Sequence, residues 1–242
     1  MKKILDNGYV SLVEHWGSDE RIVEAARMSV DKGFISWDAY EGHPKGDAGL
    51  LRHLYMNNHS TPFEMAGLII EVKAPIFVFR EWHRHRTQSY NEMSARYIPL
   101  PDENYMPSGD RLFANLGSAN KQAQSSGDAK LSPATALMWL NELRAVYEHA
   151  QAVYEQGIRI GIPKELARLP VPVARYSRMR ASANLRNWLG FLTLRDHPAA
   201  QWEIREYAHE VANIIQSLFP RTYALFEEKN NDVSRTPVSV KQ

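Results

Sequence analysis

An α+β fold, a mixed sheet flanked by helices, is what the order of elements in this sequence predicts. Stretches with helical apolar spacing and short strand-like stretches are interspersed, with no regular βαβ alternation. Neither GxGxxG nor GxxxxGK followed by Ser or Thr occurs, so a Rossmann or P-loop nucleotide site has no support. The 242 residues suffice for one sizeable core with long loops or for two small ones.

The elements follow in order. Tyr9–Val13 has strand character. Ser18 can cap a helix over Asp19–Met28, with Ile22, Val23, Ala26 and Met28 as its buried stripe. Asp47–Asn57 reads as a second helix through Leu50, Leu51, Leu54 and Tyr55. Leu68–Val72 is apolar and partly β-branched, a strand, and Pro75 can occupy the first turn of a helix running to about Arg86. The stretch 101–133 is rich in Gly, Ser, Asn and Asp and reads as a long surface loop with room for one short helix. From Pro133 a long amphipathic helix is expected, with Leu137, Leu140, Leu143, Val146, Tyr147, Ala150 and Tyr154 inward and Gly157 at its end. A short helix at Pro163–Arg168, a strand with several arginines at Val171–Ala183, and helices at Asn184–Leu194 and Ala199–Leu218 complete a single domain over 1–228. The polar tail 229–242 is expected to fray.

Lys plus Arg total 29 against 28 acids, a net charge of +1. This argues against a nucleic-acid polymer as partner but leaves room for a local phosphate pocket. With no cysteine, thiolate catalysis, disulfides and Cys-ligated metals are excluded. The start, Met1-Lys2-Lys3-Ile4-Leu5-Asp6, is not a signal peptide, and no apolar run approaches the ~20 residues that span a bilayer. A cytoplasmic protein with no membrane partner is expected.

The densest chemistry lies between Arg80 and Tyr97, where four arginines and two histidines fall within 17 residues. If 75–86 is helical, Glu81, Arg84 and His85 share one face. Three readings are open. A solvated charged face is the plainest, although Trp82, Tyr90 and the apolar lead-in Ile76-Phe77-Val78-Phe79 make the segment half-buried. A metal site through His83 and His85 needs both rings on one side, which a strand provides and a helix does not. An anion pocket suits arginine forks, which match phosphate and the carbonyl edge of a pyrimidine or flavin.

The order of residues narrows this. Arg84-His85-Arg86, seven residues, then Ser94 resembles the signature of flavin-dependent thymidylate synthases, with Ser89–Glu92, Arg96 and Tyr97 in their places around it. His59-Ser60-Thr61-Pro62-Phe63-Glu64 is similar to that family's His-x-Thr-Pro-Phe-Glu element, and Val72–Val78 to its lead-in. Ala167-Arg168, Asn184-Leu185-Arg186, Phe191-Leu192, Leu194-Arg195 and Gln201-Trp202-Glu203 follow in the family's order. The loop near 101–133 and the tail have no counterpart.

The resemblance implies the family's fold and its reaction. Deoxyuridylate (dUMP) becomes thymidylate, with methylenetetrahydrofolate as carbon donor and NADPH as reductant through FAD; the missing cysteine fits, because this chemistry needs no thiol nucleophile. It implies that Arg195 faces the uracil edge as the catalytic group, stabilising negative charge as N3 ionises; from position alone, Arg195 reads as a helix-terminal arginine facing the dipole. Arg96 and Arg168, with Ser94 and Ala95, would hold the substrate phosphate. Arg84, His85 and Arg86 would hold FAD, with Arg84 also reaching the nucleotide, and His59, Thr61, Glu92, Asn184, Leu185 and Arg186 would be further flavin contacts. Glu81 stands where the family often has Gln; a carboxylate would repel phosphate, so it pairs an arginine or contacts ribose. No metal is implied. Gly190, where relatives place Asn or His, and Ala199, where His is common and His197 lies two residues earlier, depart from the pattern. A homotetramer with sites shared between subunits is implied. Two rivals remain: a relative that modifies another pyrimidine nucleotide, and a nucleotide- or RNA-binding protein without catalysis.

Overall fold

The computed structural model describes residues 2–113 and 131–235, with side chains through residue 231. Its centre is a four-stranded sheet in the order β1-β2-β4-β3, formed by β1 (Tyr9–Trp16), β2 (Gly67–Pro75), β3 (Ser89–Glu92) and β4 (Tyr176–Asn184). All three pairings are antiparallel, where the sequence suggests a mixed sheet. Strand composition marks where strands lie but not which neighbours they choose, and here no crossover helix returns a strand in parallel.

Alternation explains the sheet's two faces. On β2 and β4, Leu68, Ile70, Val72, Ala74, Met179, Ala181 and Ala183 are buried and form the core face. The opposite face is polar: Tyr9 donates to Glu71 at 2.8 Å, Arg180 lies 3.4 Å from Glu71, and Lys73 lies 2.5 Å from Glu103. β3 is absent from the sequence expectation. Its four residues are Ser, Tyr, Asn and Glu, and it pairs only with β4 at the sheet edge, where polar residues are favoured. β4 starts at Tyr176 and not Val171, because the preceding segment turns to let Ile76 and Phe77 donate to the carbonyls of Arg175 and Val173.

Helix α1 (Asp19–Arg27) is capped by Ser18, whose hydroxyl accepts from Arg21 N. Ile22 and Val23 are buried, but Met28 is exposed, because it begins a 3₁₀ turn that leaves the helix axis. Helix α2 (Gly46–Met56) carries a fully buried Asp47. Its carboxylate accepts from Arg27, from Tyr40 Oη at 2.9 Å and from the backbone N–H of Ile35 at 2.8 Å. Removing it strands a buried guanidinium. Asp47→Ala is therefore expected to cost about 3–5 kcal/mol, read as a lower midpoint in urea or thermal unfolding.

Helix α3 (Ile76–Trp82) stops four residues short of the expected Arg86. Tyr90 Oη donates to the carbonyls of Trp82 and His85, and the Trp82 indole donates to Gln88. These contacts satisfy carbonyls that a continuing helix would have used, and the chain turns at 83–88 into β3.

After α4 (Gly109–Phe113), a short helix within the expected loop, residues 114–130 lie outside the described residues. Helix α5 (Pro133–Arg159) faces inward with Ala136, Leu140, Leu143, Tyr147, Ala150 and Tyr154. Leu137 and Val146, expected in that stripe, are 61% and 59% exposed. Gly157 does not end α5: it lies within the helix where α6 (Lys164–Ala167) approaches, and a Cβ there would come within 3.3 Å of Ala167 Cβ.

Helix α7 (Leu185–Arg195) packs on β2 and β4, followed by α8 (Trp202–Leu218), which starts at Trp202 and not Ala199. The expected frayed tail is instead the end of α9 (Pro220–Arg235), and 236–242 lie outside the described residues. Buried Asp19 caps α9, accepting from the N–H groups of Arg221 and Thr222 and from the Thr222 hydroxyl. Tyr223 and Phe226 supply its buried side. At Lys229 the ammonium donates to Tyr55 O and Asn58 Oδ1, tying α9 to the end of α2. Among the described residues, no helix is long and apolar enough to cross a membrane.

Candidate active site

The expected site residues fall into three groups. The first lies where α3 ends against the last turn of α7. Trp82, Trp188 and Phe191 are fully buried and fix that junction, with ring centroids of Trp82 and Phe191 4.6 Å apart. Above them the Arg195 guanidinium makes three hydrogen bonds: Nε to His85 Nε2 at 2.8 Å, Nη1 to Glu81 Oε2 at 2.7 Å, and Nη2 to the Glu81 carbonyl at 3.1 Å. His85 Nε2 accepts, so its proton sits on Nδ1. Burial, then the charge of Arg195, push the His85 pKa down to about 4, with Glu81 opposing. The ring is neutral at neutral pH and the acceptor is present. Arg84 and Arg86 stand exposed on the turn, with Arg84 3.9 Å from the second oxygen of Glu81.

The histidines do not converge as a metal site requires. His83 Nε2 lies 3.1 Å from Met179 Sδ while His85 serves Arg195. Among the described residues no cluster of three His, Cys, Asp or Glu is placed to hold a metal ion.

The second group surrounds a cavity of about 350 Å³ between α2, α7 and α9. Leu54, Tyr55, Phe63 and Leu189 give it apolar walls, and His59, Ser60, Arg186 and Thr193 give it polar groups. Arg186 is ion-paired with Glu64. Thr61 opens the 3₁₀ turn Thr61–Glu64 beside it and is exposed. Asn184 caps α7, accepting from Asn187 N at 3.0 Å. Leu185 is fully buried and its N–H donates to Ala66 O, so its side chain belongs to the core. Gly190 lines the cavity, and a Cβ there would meet nothing within 4 Å. The departure at Gly190 thus leaves space that a side chain would have filled. His197 accepts from Ala199 N at 3.1 Å and faces its own backbone.

The third group is built on Ser94. Its hydroxyl accepts from Arg96 N, and its carbonyl accepts from Tyr97 N and Ile98 N, a tight turn that leaves Ala95 buried and Arg96 exposed. Arg96 lies 3.6 Å from the Glu165 carboxylate of α6, and Arg168 Nε donates to the Glu165 carbonyl. Arg96 and Arg168 are thus brought together, with Lys164 donating to Tyr97 O alongside. Glu92 closes β3 nearby. Among the described residues no hydrogen bond or ion pair joins this group to that of Arg195.

Four participants escape sequence reasoning. Glu64 stands in a quoted motif but draws attention only once Arg186 is seen against it. Lys229 and Asn230 line the cavity from a segment whose polarity reads as tail. Glu165 carries no sequence signal at all.

An antiparallel α+β core with two arginine groups and a cavity between helices has the features of a class, small-molecule-binding proteins with arginine forks suited to anions. Comparison makes the assignment particular. Residues 11–221 match the family described as thymidylate synthase complementing protein. The flavin-dependent thymidylate synthase of Thermus thermophilus is 40% identical over 93% of this chain and 77% of its own length. That of Thermosipho africanus is 37% identical over 93% and 92%. The structure of the UMP/dUMP methylase PolB from Streptomyces cacaoi bound with 5-Br dUMP superposes with a TM-score of 0.79 at 31% identity, covering 94% of this chain and 97% of that one. With 5-Br UMP bound, the TM-score is 0.76. The chain belongs to the flavin-dependent thymidylate synthase family.

Proposed function

We propose that this chain converts dUMP to thymidylate in the cytoplasm, taking the one-carbon unit from methylenetetrahydrofolate and reducing equivalents from NADPH through bound FAD. The observation that carries this reading is Arg195, held in one orientation by Glu81 and His85 beside the signature turn Arg84-His85-Arg86.

The second group fits a flavin. A cavity of about 350 Å³ falls in the range of small-molecule sites, roughly 300–1,000 Å³. Its apolar walls suit a flat ring, and Arg186, His59 and Thr193 suit that ring's polar edge. Thr61, Asn184 and Glu92, with the exposed pair Arg84 and Arg86, are the further groups that would hold the cofactor and its pyrophosphate; Leu185 supports them from the core. When bound, the flavin would supply the redox chemistry that links NADPH to the one-carbon unit.

The remaining work is the chain's own. Arg96 and Arg168, with Ser94 and Ala95, hold the substrate phosphate. Glu165 keeps the two guanidiniums together in its absence. Arg195 stabilises negative charge on the pyrimidine as N3 loses its proton, which makes carbon 5 a better nucleophile. Among the described residues no hydrogen bond or ion pair joins the phosphate group to the Arg195 group. A homotetramer in which one subunit's phosphate group faces another's Arg195 resolves this. The exposed apolar residues of α5, Leu137, Met138, Trp139, Val146 and Val153, support such an assembly.

A second reading is favoured by the structural neighbours, whose described substrates include UMP: this chain would also accept the ribonucleotide. One experiment addresses both. Purified protein is loaded with FAD, its visible spectrum recorded, and formation of the 5-methyl nucleotide followed with methylenetetrahydrofolate and NADPH against dUMP and UMP. Yellow protein and thymidylate from dUMP are expected. Protein that cannot be loaded with FAD would sink the proposal, and turnover of UMP at a comparable rate would establish the broader substrate range.

A further inference from the structure

We propose that Glu81 and His85 are positioning residues that set both the orientation and the effective charge of Arg195. The inference rests on the reading of Arg195 as the group that faces the pyrimidine.

A guanidinium has five N–H donors in a rigid fork. Three of those of Arg195 are committed, to His85 Nε2, Glu81 Oε2 and the Glu81 carbonyl. That leaves one N–H on each terminal nitrogen without a partner among the described residues. Two acceptors on Glu81 and one on His85 define the plane, so the free donors point in one direction before any ligand arrives. The clamp is itself held. His85 packs edge-on against Phe191, with centroids 4.9 Å apart, and its carbonyl accepts from Tyr90 Oη at 2.7 Å. Arg195 is only 16% exposed, so water does not compete freely for its donors.

The second effect is electrostatic. A carboxylate 2.7 Å from the guanidinium cancels part of the field that would stabilise an ionised pyrimidine. Arg84 lies 3.9 Å from Glu81, while Asp196, the next residue in the chain, faces His209 at 3.8 Å. Glu81 therefore restrains Arg195 as well as aiming it. In the absence of the carboxylate's charge, the N3 proton leaves to solvent at lower pH, and the ring's negative charge spreads over its carbonyl oxygens beside the guanidinium. The neutral state of His85 completes the arrangement, because a protonated ring would turn a donor toward the Nε–H.

Glu81→Gln keeps an acceptor of the same shape and removes the charge; Glu81→Ala removes both. The test titrates dUMP bound to FAD-loaded enzyme by ultraviolet difference absorbance, alongside steady-state kinetics. In Glu81→Gln, the ionisation of bound dUMP is expected to move down by about one pH unit, with turnover reduced less than in the alanine variant. In Glu81→Ala, kcat is expected to fall about 100-fold with KM for dUMP within threefold. FAD loading and thermal unfolding certify that each variant is folded, and the near-isosteric Gln carries the test if Ala is not. An unmoved ionisation in Glu81→Gln, or a raised KM with intact kcat in Glu81→Ala, would overturn the inference and make Glu81 a substrate contact. Failure of the unaltered enzyme to bind dUMP would instead overturn the functional reading on which it rests.

Discussion

Replacing Arg195 with Ala is expected to reduce thymidylate formation by about 10²–10³-fold or more while leaving FAD binding nearly unchanged. The size of the loss follows from what the guanidinium contributes. It offers preorganised donors, in a half-buried position, to charge that develops only as the reaction proceeds, so its removal lowers kcat more than it raises KM. The separation from FAD binding follows from place. Arg195 ends α7 and none of its three hydrogen bonds goes to a cavity group: Arg186 and Gly190 lie on earlier turns, and Thr193, two residues before it, donates its hydroxyl to the Leu189 carbonyl. The fold should survive, because the abandoned partners reach water: the Glu81 side chain is 32% exposed. Arg195→Lys should recover little, since a single ammonium cannot satisfy His85 and Glu81 and still present two donors. Flavin absorbance during titration with FAD, set beside turnover of the same sample, decides the matter. Equal losses in both would move Arg195 into the cofactor site.

The same residues show how much of the molecule is legible beforehand. α2, α7 and α8 are legible because each carries one apolar stripe with the helical period, and the order of strands and helices suffices for the α+β class. The signature turn is legible as a string, since Arg84-His85-Arg86 and Ser94 are close in sequence. The clamp on Arg195 is not, because Glu81 and Arg195 are 114 positions apart and only the packing of Trp82 on Phe191 makes them neighbours. Local pattern also misplaces what depends on distant partners. α3 stops at Trp82 because Tyr90, eight residues on, caps its carbonyls. α9 continues past Lys229 because Tyr55 and Asn58 accept its ammonium. In each case a polar side chain from elsewhere settled a boundary that hydrophobic period could not.

α5 presents the opposite problem: it has more apolar positions than one buried stripe can use. Ala136, Leu140, Leu143, Tyr147 and Tyr154 face the chain's own body, while Trp139, Val146 and Val153 recur every seven residues on a second, exposed side. A repeat of seven is the spacing that seats one helix along another. Burying each such side chain against a partner is worth about 1–3 kcal/mol, so the stripe sustains assembly only as a set. Val146→Glu together with Val153→Glu should convert the proposed tetramer to smaller species, because each charge would have to be desolvated in an apolar contact. Light scattering coupled to size exclusion gives the mass, and the same fractions can be assayed. If the sites are shared between subunits, thymidylate formation should fall at least tenfold with dissociation, although neither valine touches the Arg195 group or the cavity. A variant that stays assembled would remove α5 from the interface. One that dissociates but keeps full turnover would mean that each chain completes its own site, and the gap between Arg96 and Arg195 would then have to close by motion within a single subunit.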